Sequence, residues 1–298
     1  MSSAFLPIRR LRFSGRFLLV LIVAALGMTL APVATNASTP SSPIAKAPAV
    51  RKVTARQMWV WRLGDPQQLV SQASRGGVTQ LLVWVSPHFT SDQPLMKKLA
   101  TLRVLAARAH QQLVALCGDP SWATAPSVAG SWAKEVARSK LFSRVHLDIE
   151  PYTTPQWQRN PQPLAKGLLD ALTAARGSGL PVDADIPYWY NQVSLKDGSS
   201  LDIAVMRRVS SVTLMSYTNS ADGVLRISTP EMNDAKALKV PAYIGINVAP
   251  SGGDPASSSF YGQRAAAISA ALSKIQTLGT QWSSFAGTAV HDAEYFHP

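Results

Sequence analysis

From Gln57 to its end the chain alternates short apolar runs with longer amphipathic stretches, and the rhythm does not break. Met58-Trp59-Val60-Trp61 reads as a first strand, and Pro66 to Arg75 as a helix opening after Asp65. Leu81 to Val85 is a second strand, followed by Pro94 to His110, where Leu95, Leu99, Leu102, Val104 and Leu105 mark a broad helical face. Leu113 to Cys117 and Val145 to Glu150 supply the third and fourth strands, with helices expected at Val128–Ser139 and Leu164–Ala175. The second half repeats the pattern. Strands are expected at Val182–Ile186, Val212–Tyr217, Ala242–Val248 and Phe285–Val290, separated by helices at Asp202–Arg208, Glu231–Leu238 and Ala265–Leu278.

Strands that are apolar throughout fit a parallel sheet covered by helices on its outer side. Eight of them, alternating with helices, predict a closed α/β architecture, the (β/α)8 TIM barrel, as a single domain. An open doubly wound sheet is the competing arrangement, but no Gly-rich phosphate loop follows any strand.

Everything before this domain has a different character. Arg9, Arg10, Arg12 and Arg16 precede an apolar segment from Phe17 to Ala31, and small residues follow to Thr35-Asn36-Ala37. That order predicts an export signal over residues 1–37, with an uncleaved membrane anchor as its rival. Residues 38–55, rich in Ser, Thr, Pro and Ala, read as a linker to a domain at 56–298. The expected location is therefore secreted or cell-envelope associated, outside the cytoplasmic membrane, with membrane contact only if the first segment stays attached.

Loss of that segment removes four arginines and no acid, taking the formal charge from +12 to +8. The remaining basic residues form no dense stripe and no nucleic-acid motif, so no nucleic-acid partner is expected. Cys117 is the single cysteine, which excludes an intrachain disulfide and thiolate clusters; its apolar neighbours predict a buried strand position. A monomer without a cofactor is expected.

Chemistry in such a barrel collects where the strands end. The first strand ends at Trp59 and Trp61, the second at Trp84, Ser86 and His88, and the third leads to Asp119 and Trp122. The fourth gives His146, Asp148, Glu150 and Tyr152, and the fifth Asp183, Asp185, Tyr188, Trp189 and Tyr190. Tyr217 and Asn219 close the sixth, Asn247 the seventh, and His291, Asp292 and Glu294 the eighth. A rim of acids, amides and aromatic rings suits a carbohydrate: rings cover the apolar side of a sugar while carboxylates and amides meet its hydroxyls. The candidate substrate-binding residues are Trp59, Trp84, Asp119, Trp122, Tyr152, Trp189, Asn247 and His291, with Trp84 and Trp189 the preferred platforms.

Hydrolysis of a glycosidic bond needs a proton donor at the leaving oxygen and stabilisation of positive charge at the sugar. Asp148 and Glu150, two apart on a strand, face one way while Ile149 faces the other. Glu150 is the candidate acid, Asp148 its orienter, and Asp185 and Tyr217 the groups that reach them from neighbouring strands. The seventh strand offers no carboxylate, which favours assistance from the substrate's own acetamido group over an enzyme nucleophile; Asp119, Asp185 or Glu294 would serve an inverting reaction.

Leu147-Asp148-Ile149-Glu150 together with Met215-Ser216-Tyr217 resembles glycoside hydrolase family 18, the chitinase and endo-β-N-acetylglucosaminidase group. The resemblance implies a TIM barrel and a substrate-assisted retaining glycosidase. It places the proton donor on Glu150, the acetamido-orienting acid on Asp148 and the positioning tyrosine on Tyr217. The two earlier acids of that signature fall on Ser143 and His146, and the tryptophan of the last strand has no counterpart in Phe285–His291.

Two other readings use the same residues. A barrel that binds an oligo- or polysaccharide without cleaving it would keep the aromatic rim. A metal-dependent hydrolase would draw ligands from His146, Asp148, Glu150, Asp185 and His291, although no His-x-x-x-His helix pair or local ligand triplet is present.

Overall fold

A computed structural model describes residues 55–298. The expected signal and linker lie outside the described residues, except Ala55, which already belongs to the first strand. Eight strands close into one barrel in sequence order, every neighbouring pair parallel: β1 (Ala55–Val60), β2 (Gln80–Trp84), β3 (Gln112–Cys117), β4 (Val145–Leu147), β5 (Val182–Pro187), β6 (Ser211–Met215), β7 (Ala242–Asn247) and β8 (Phe285–His291). The outer ring contains α1 (Pro66–Arg75), α2 (Gln93–Arg108), α3 (Pro126–Ser139), α4 (Pro155–Arg159), α5 (Pro161–Arg176), α6 (Leu201–Met206), α7 (Ala221–Leu238) and α8 (Ala265–Gly279). The barrel is the one expected from the strand rhythm.

Local chemistry starts most of these helices. Asp65 and Asp92 accept the backbone N–H groups of Gln68 and Leu95 at the first turns of α1 and α2, and Pro stands at the first or second position of both. The sequence reading misses α4 and places only the end of α7. Thr229-Pro230 argues against a helix there, yet α7 runs through Pro230. Ser228 and Thr229 return hydroxyl bonds to the carbonyls of Val224 and Leu225, and the buried face of Val224, Met232 and Ala235 holds the helix against the barrel.

No helix follows β8 among the described residues. The last segment lies against α1 instead: Gln72 donates to the carbonyls of Ala293 (2.6 Å) and Phe296 (2.5 Å), and the buried Phe296 ring occupies the space that a side chain at Gly76 would need.

The core has two parts. A large apolar layer fills the space between strands and helices, and Cys117 belongs to it. Burial pushes the Cys117 thiol up to about 12, in keeping with a packing role. Inside the barrel the apolar cluster is small: Trp59, Leu82, Val114, Leu116, Tyr243 and Ala289. Much of the remaining interior is polar. Gln57 donates to Gln80 (2.9 Å) and Gln80 to Gln112 (3.2 Å), while Thr213 donates to Gln57 (2.7 Å). Arg144 on the β4 side forks onto Asp183 of β5 at 2.5 and 2.6 Å, and Ser211 donates to the same carboxylate.

Candidate active site

The carboxylates of interest stand at the top of a ladder. Arg144, His146 and Asp148 follow one another at alternate positions along β4 and its continuation, and the first two reach Asp183 and Asp185 of β5 with their side chains. The lowest rung is the Arg144–Asp183 fork. On the next, His146 Nε2 lies 2.8 Å from Asp185 Oδ1, both side chains fully enclosed. This is a close charge contact outside good hydrogen-bond alignment, since the same two atoms count as unpartnered by direction. Asp148 stands one rung higher, and its buried Oδ1 has no hydrogen-bond partner.

Strand β4 is shorter than the sequence pattern indicates and ends at Leu147. Asp148 still takes one further ladder bond, from its N–H to Cys117 O at 3.0 Å, and Glu150 is the residue that turns into the short helix Pro151–Thr153. The side-chain alternation survives this change: Ile149 is buried in the outer layer while Asp148 and Glu150 keep partial contact with solvent. A glycine makes the close approach possible. A Cβ at Gly118 would collide with the carbonyl of Asp148.

Tyr152 donates its hydroxyl to Glu150 Oε1. Burial raises the Glu150 pKa, that bond opposes the rise, and the charges of Asp185 and Asp254 add to it. Asp148 is pushed well above the usual carboxylate range by burial first, then by Glu150 and Asp185. Glu150 and Asp148 therefore hold a proton between them beyond the ordinary carboxyl range, Asp148 being the more strongly raised. Tyr217 is raised by burial first and then by the charges of Asp185, Asp148 and Glu150. Its direction has a local cause: Ser216 turns outward to accept the Ser228 hydroxyl at 2.7 Å, leaving Met215 and Tyr217 on the opposite side.

Several candidates have other employment. Asp185 is no free carboxylate: Trp59 Nε1 donates to its Oδ2 at 3.0 Å and His146 takes the other oxygen, so it braces β5 to β1 and β4. Trp59 is 1% exposed and fills the barrel under the mouth, where it cannot present a face to a ligand. Gly245 makes room for its ring. Trp122 is likewise buried, packed on Trp132 at 5.8 Å. Asn247 is buried too, and its Oδ1 accepts from Ala249 N (2.9 Å) and faces His291 Nδ1 (3.2 Å). Strand periodicity gives the facing of these residues but not their depth or their partners.

Trp84 is 40% exposed at the end of β2, and Asp119, also exposed, caps the short helix Pro120–Ala123 through Ser121 N. Trp189 is half-buried in a ring cluster with Tyr152 (5.1 Å), Tyr190 (5.2 Å) and Trp157 (6.4 Å). His291 is half-buried, and both its nitrogens are engaged.

Two residues escaped selection from the sequence. Tyr190 is buried with an unpartnered hydroxyl, and its pKa is driven well up by burial, Glu150 and Asp148. Its place behind Trp189 was visible in the strand-end inventory, although its inward aim was not. Asp254, on the segment between β7 and α8, brings its charge to Glu150 even though β7 itself has no carboxylate. Among the described residues no group of three or more His, Cys, Asp or Glu side chains is arranged to hold a metal ion.

No family model matches the sequence, and no curated protein matches it. Solved structures do. A GH18 chitinase from Pseudoalteromonas aurantia superposes with a TM-score of 0.55 at 13% identity, covering 80% of this chain and 94% of that one. A chitinase from Chromobacterium violaceum gives 0.51 at 13% identity over 82% and 95% of the two chains. An endo-β-1,4-glucanase from Xanthomonas axonopodis pv. citri gives 0.54 at 8% identity over 80% and 88%. The likeness is one of fold. The chain shares its TIM-barrel fold with these chitinases and with the endoglucanase.

Proposed function

We propose that this chain is an exported glycosidase that hydrolyses a polysaccharide or glycan of the cell envelope or environment, with Glu150 as general acid. The observation that carries the reading is the state of Glu150. Glu150 is a partly exposed residue just beyond the end of β4, its carboxyl is raised by burial, and Asp148, raised in the same direction, stands beside it. A carboxyl raised in this way keeps its proton closer to neutral pH and can give it to a leaving oxygen. The fold supports the same reading, because structures named as chitinases and an endoglucanase are built on it.

In the substrate-assisted form, Glu150 protonates the glycosidic oxygen while the sugar's acetamido oxygen attacks the anomeric carbon. In this reading Asp148, beside Glu150, and Tyr217 orient the acetamido group and balance the charge that develops on it. Glu150 then takes a proton from the water that opens the intermediate.

Asp254 favours a second reading of the mechanism, in which it activates water for direct displacement. The anomer first released, followed by NMR, separates the two. Retention with little effect of Asp254→Asn supports acetamido assistance, and inversion with loss of turnover in that variant supports Asp254.

The proposal as a whole is tested on a glycan panel. Glu150→Gln is expected to lower kcat by about 10²- to 10⁴-fold while leaving binding intact. Substantial turnover by the variant would remove Glu150 from the role. Binding without turnover by the unaltered chain would make this a carbohydrate-binding barrel.

A further inference from the structure

We propose that Trp61 is the stacking platform for the pyranose ring held at the reaction point, and that it selects sugars whose ring substituents are equatorial. This rests on the glycan reading above and deepens it.

Trp61 follows β1 directly and sits half-buried on the interior cluster formed by Trp59 and its neighbours. Its indole N–H, a donor only, points to His291 Nε2 at 2.8 Å. That nitrogen must therefore be the acceptor, which leaves the hydrogen of the neutral imidazole on Nδ1, facing Asn247 Oδ1 at 3.2 Å. Asn247 Oδ1 is itself fixed by Ala249 N. Side chains from the ends of β1, β8 and β7 thus form one chain of polar contacts that fixes the orientation of the Trp61 ring. The ring spends its single polar atom inward and still keeps surface open at the mouth. What it offers a ligand is an immobilised apolar face.

That face stands next to the chemistry. His291 lies 5.9 Å from Tyr217 and 5.6 Å from Trp59, ring to ring, and Trp59 donates to Asp185. In an eight-strand barrel closed in sequence order, β1 lies opposite β5. The Trp61 ring therefore meets the mouth from the side opposite the Tyr152, Trp189 and Tyr190 cluster and Glu150. A pyranose with equatorial substituents presents a flat C–H face to an aromatic ring on either side, whereas an axial hydroxyl on the stacked side would direct an unpaired polar group onto it.

The experiment uses the full chain carrying Glu150→Gln and measures calorimetric binding of chitotetraose, cellotetraose and β-mannotetraose, the last with an axial 2-hydroxyl on each ring. Trp61→Ala is expected to weaken the best-bound equatorial oligosaccharide by roughly ten- to a hundred-fold and to narrow its lead over β-mannotetraose. Trp61→Phe keeps a ring and should stay within about threefold of the parent. Trp61→Leu fills the space without an aromatic face, and must fail like Ala even if the Ala variant does not fold. Parental affinity in Trp61→Leu would overturn the platform and leave glycan binding standing. No binding of any oligosaccharide by the parent would overturn both.

Discussion

His146 and Asp185 face each other inside the barrel, Nε2 to Oδ1 at 2.8 Å, with neither side chain reachable by solvent. Burial by itself would lower the His146 pKa, but Asp185 outweighs it and the net direction is up. Asp185, the carboxylate expected to reach Glu150 from the neighbouring strand, is also the counter-charge of the histidine at the second signature position. Removing one partner strands the other: Asp185→Asn is expected to cost about 3–5 kcal/mol by denaturant unfolding. Because the folded His146 value is raised, its stabilisation is complete below the ordinary 6.5 and fades as pH rises through the folded value. An Asp185→Asn protein of unchanged stability at pH 6 would contradict the brace.

Gly118 sets the position of Asp148 through backbone contact alone. Gly118→Ala would force its Cβ against the Asp148 carbonyl, and neither backbone has a flexible end to yield. A loss of about 1–3 kcal/mol is expected, with turnover falling further than stability accounts for. Wild-type kinetics in a folded Gly118→Ala chain would show that the close approach is unimportant.

Glu231 lies fully buried on α7 with both oxygens unpartnered, and its pKa rises to about 8, by burial first and then by Asp202 and Asp234. A raised folded value means stability is greatest below the unfolded 4.5 and is lost as pH climbs through about 8. Glu231→Gln should flatten that decline and gain on the order of 2 kcal/mol at the alkaline end. Unfolding midpoints at several pH values check it; parallel curves for the two proteins would refute it.

His291 behaves in the opposite sense. Burial lowers its pKa to about 4, matching its acceptor role toward the Trp61 indole. Its contribution to stability is present above 6.5 and is lost as pH falls toward about 4, where the imidazolium can no longer accept that bond. The His291 imidazole resonances, assigned by comparison with His291→Gln, should stay in the neutral state through pH 5. Titration near 6.5 would break the chain of contacts holding Trp61.

The order of elements was legible because a parallel strand covered on its outer face must be apolar throughout, and eight such runs leave few architectures. The facing of Asp148 and Glu150 was legible for a similar reason, since strand alternation is a local property of the backbone. By itself, then, the sequence determined the barrel, the end where chemistry gathers, and the carboxylates that point into it. Depth and partnership were decided by the closed structure. Trp59 and Trp61 are alternate residues of one phrase, yet one is sealed beneath the mouth and the other is left open on it. Asp148 and Asp185 are the same residue type on neighbouring strands, yet only Asp185 meets a histidine and an indole N–H. Those differences come from groups more than a hundred residues apart, such as Trp59 and Asp185, which become neighbours only when β8 pairs with β1 and closes the barrel.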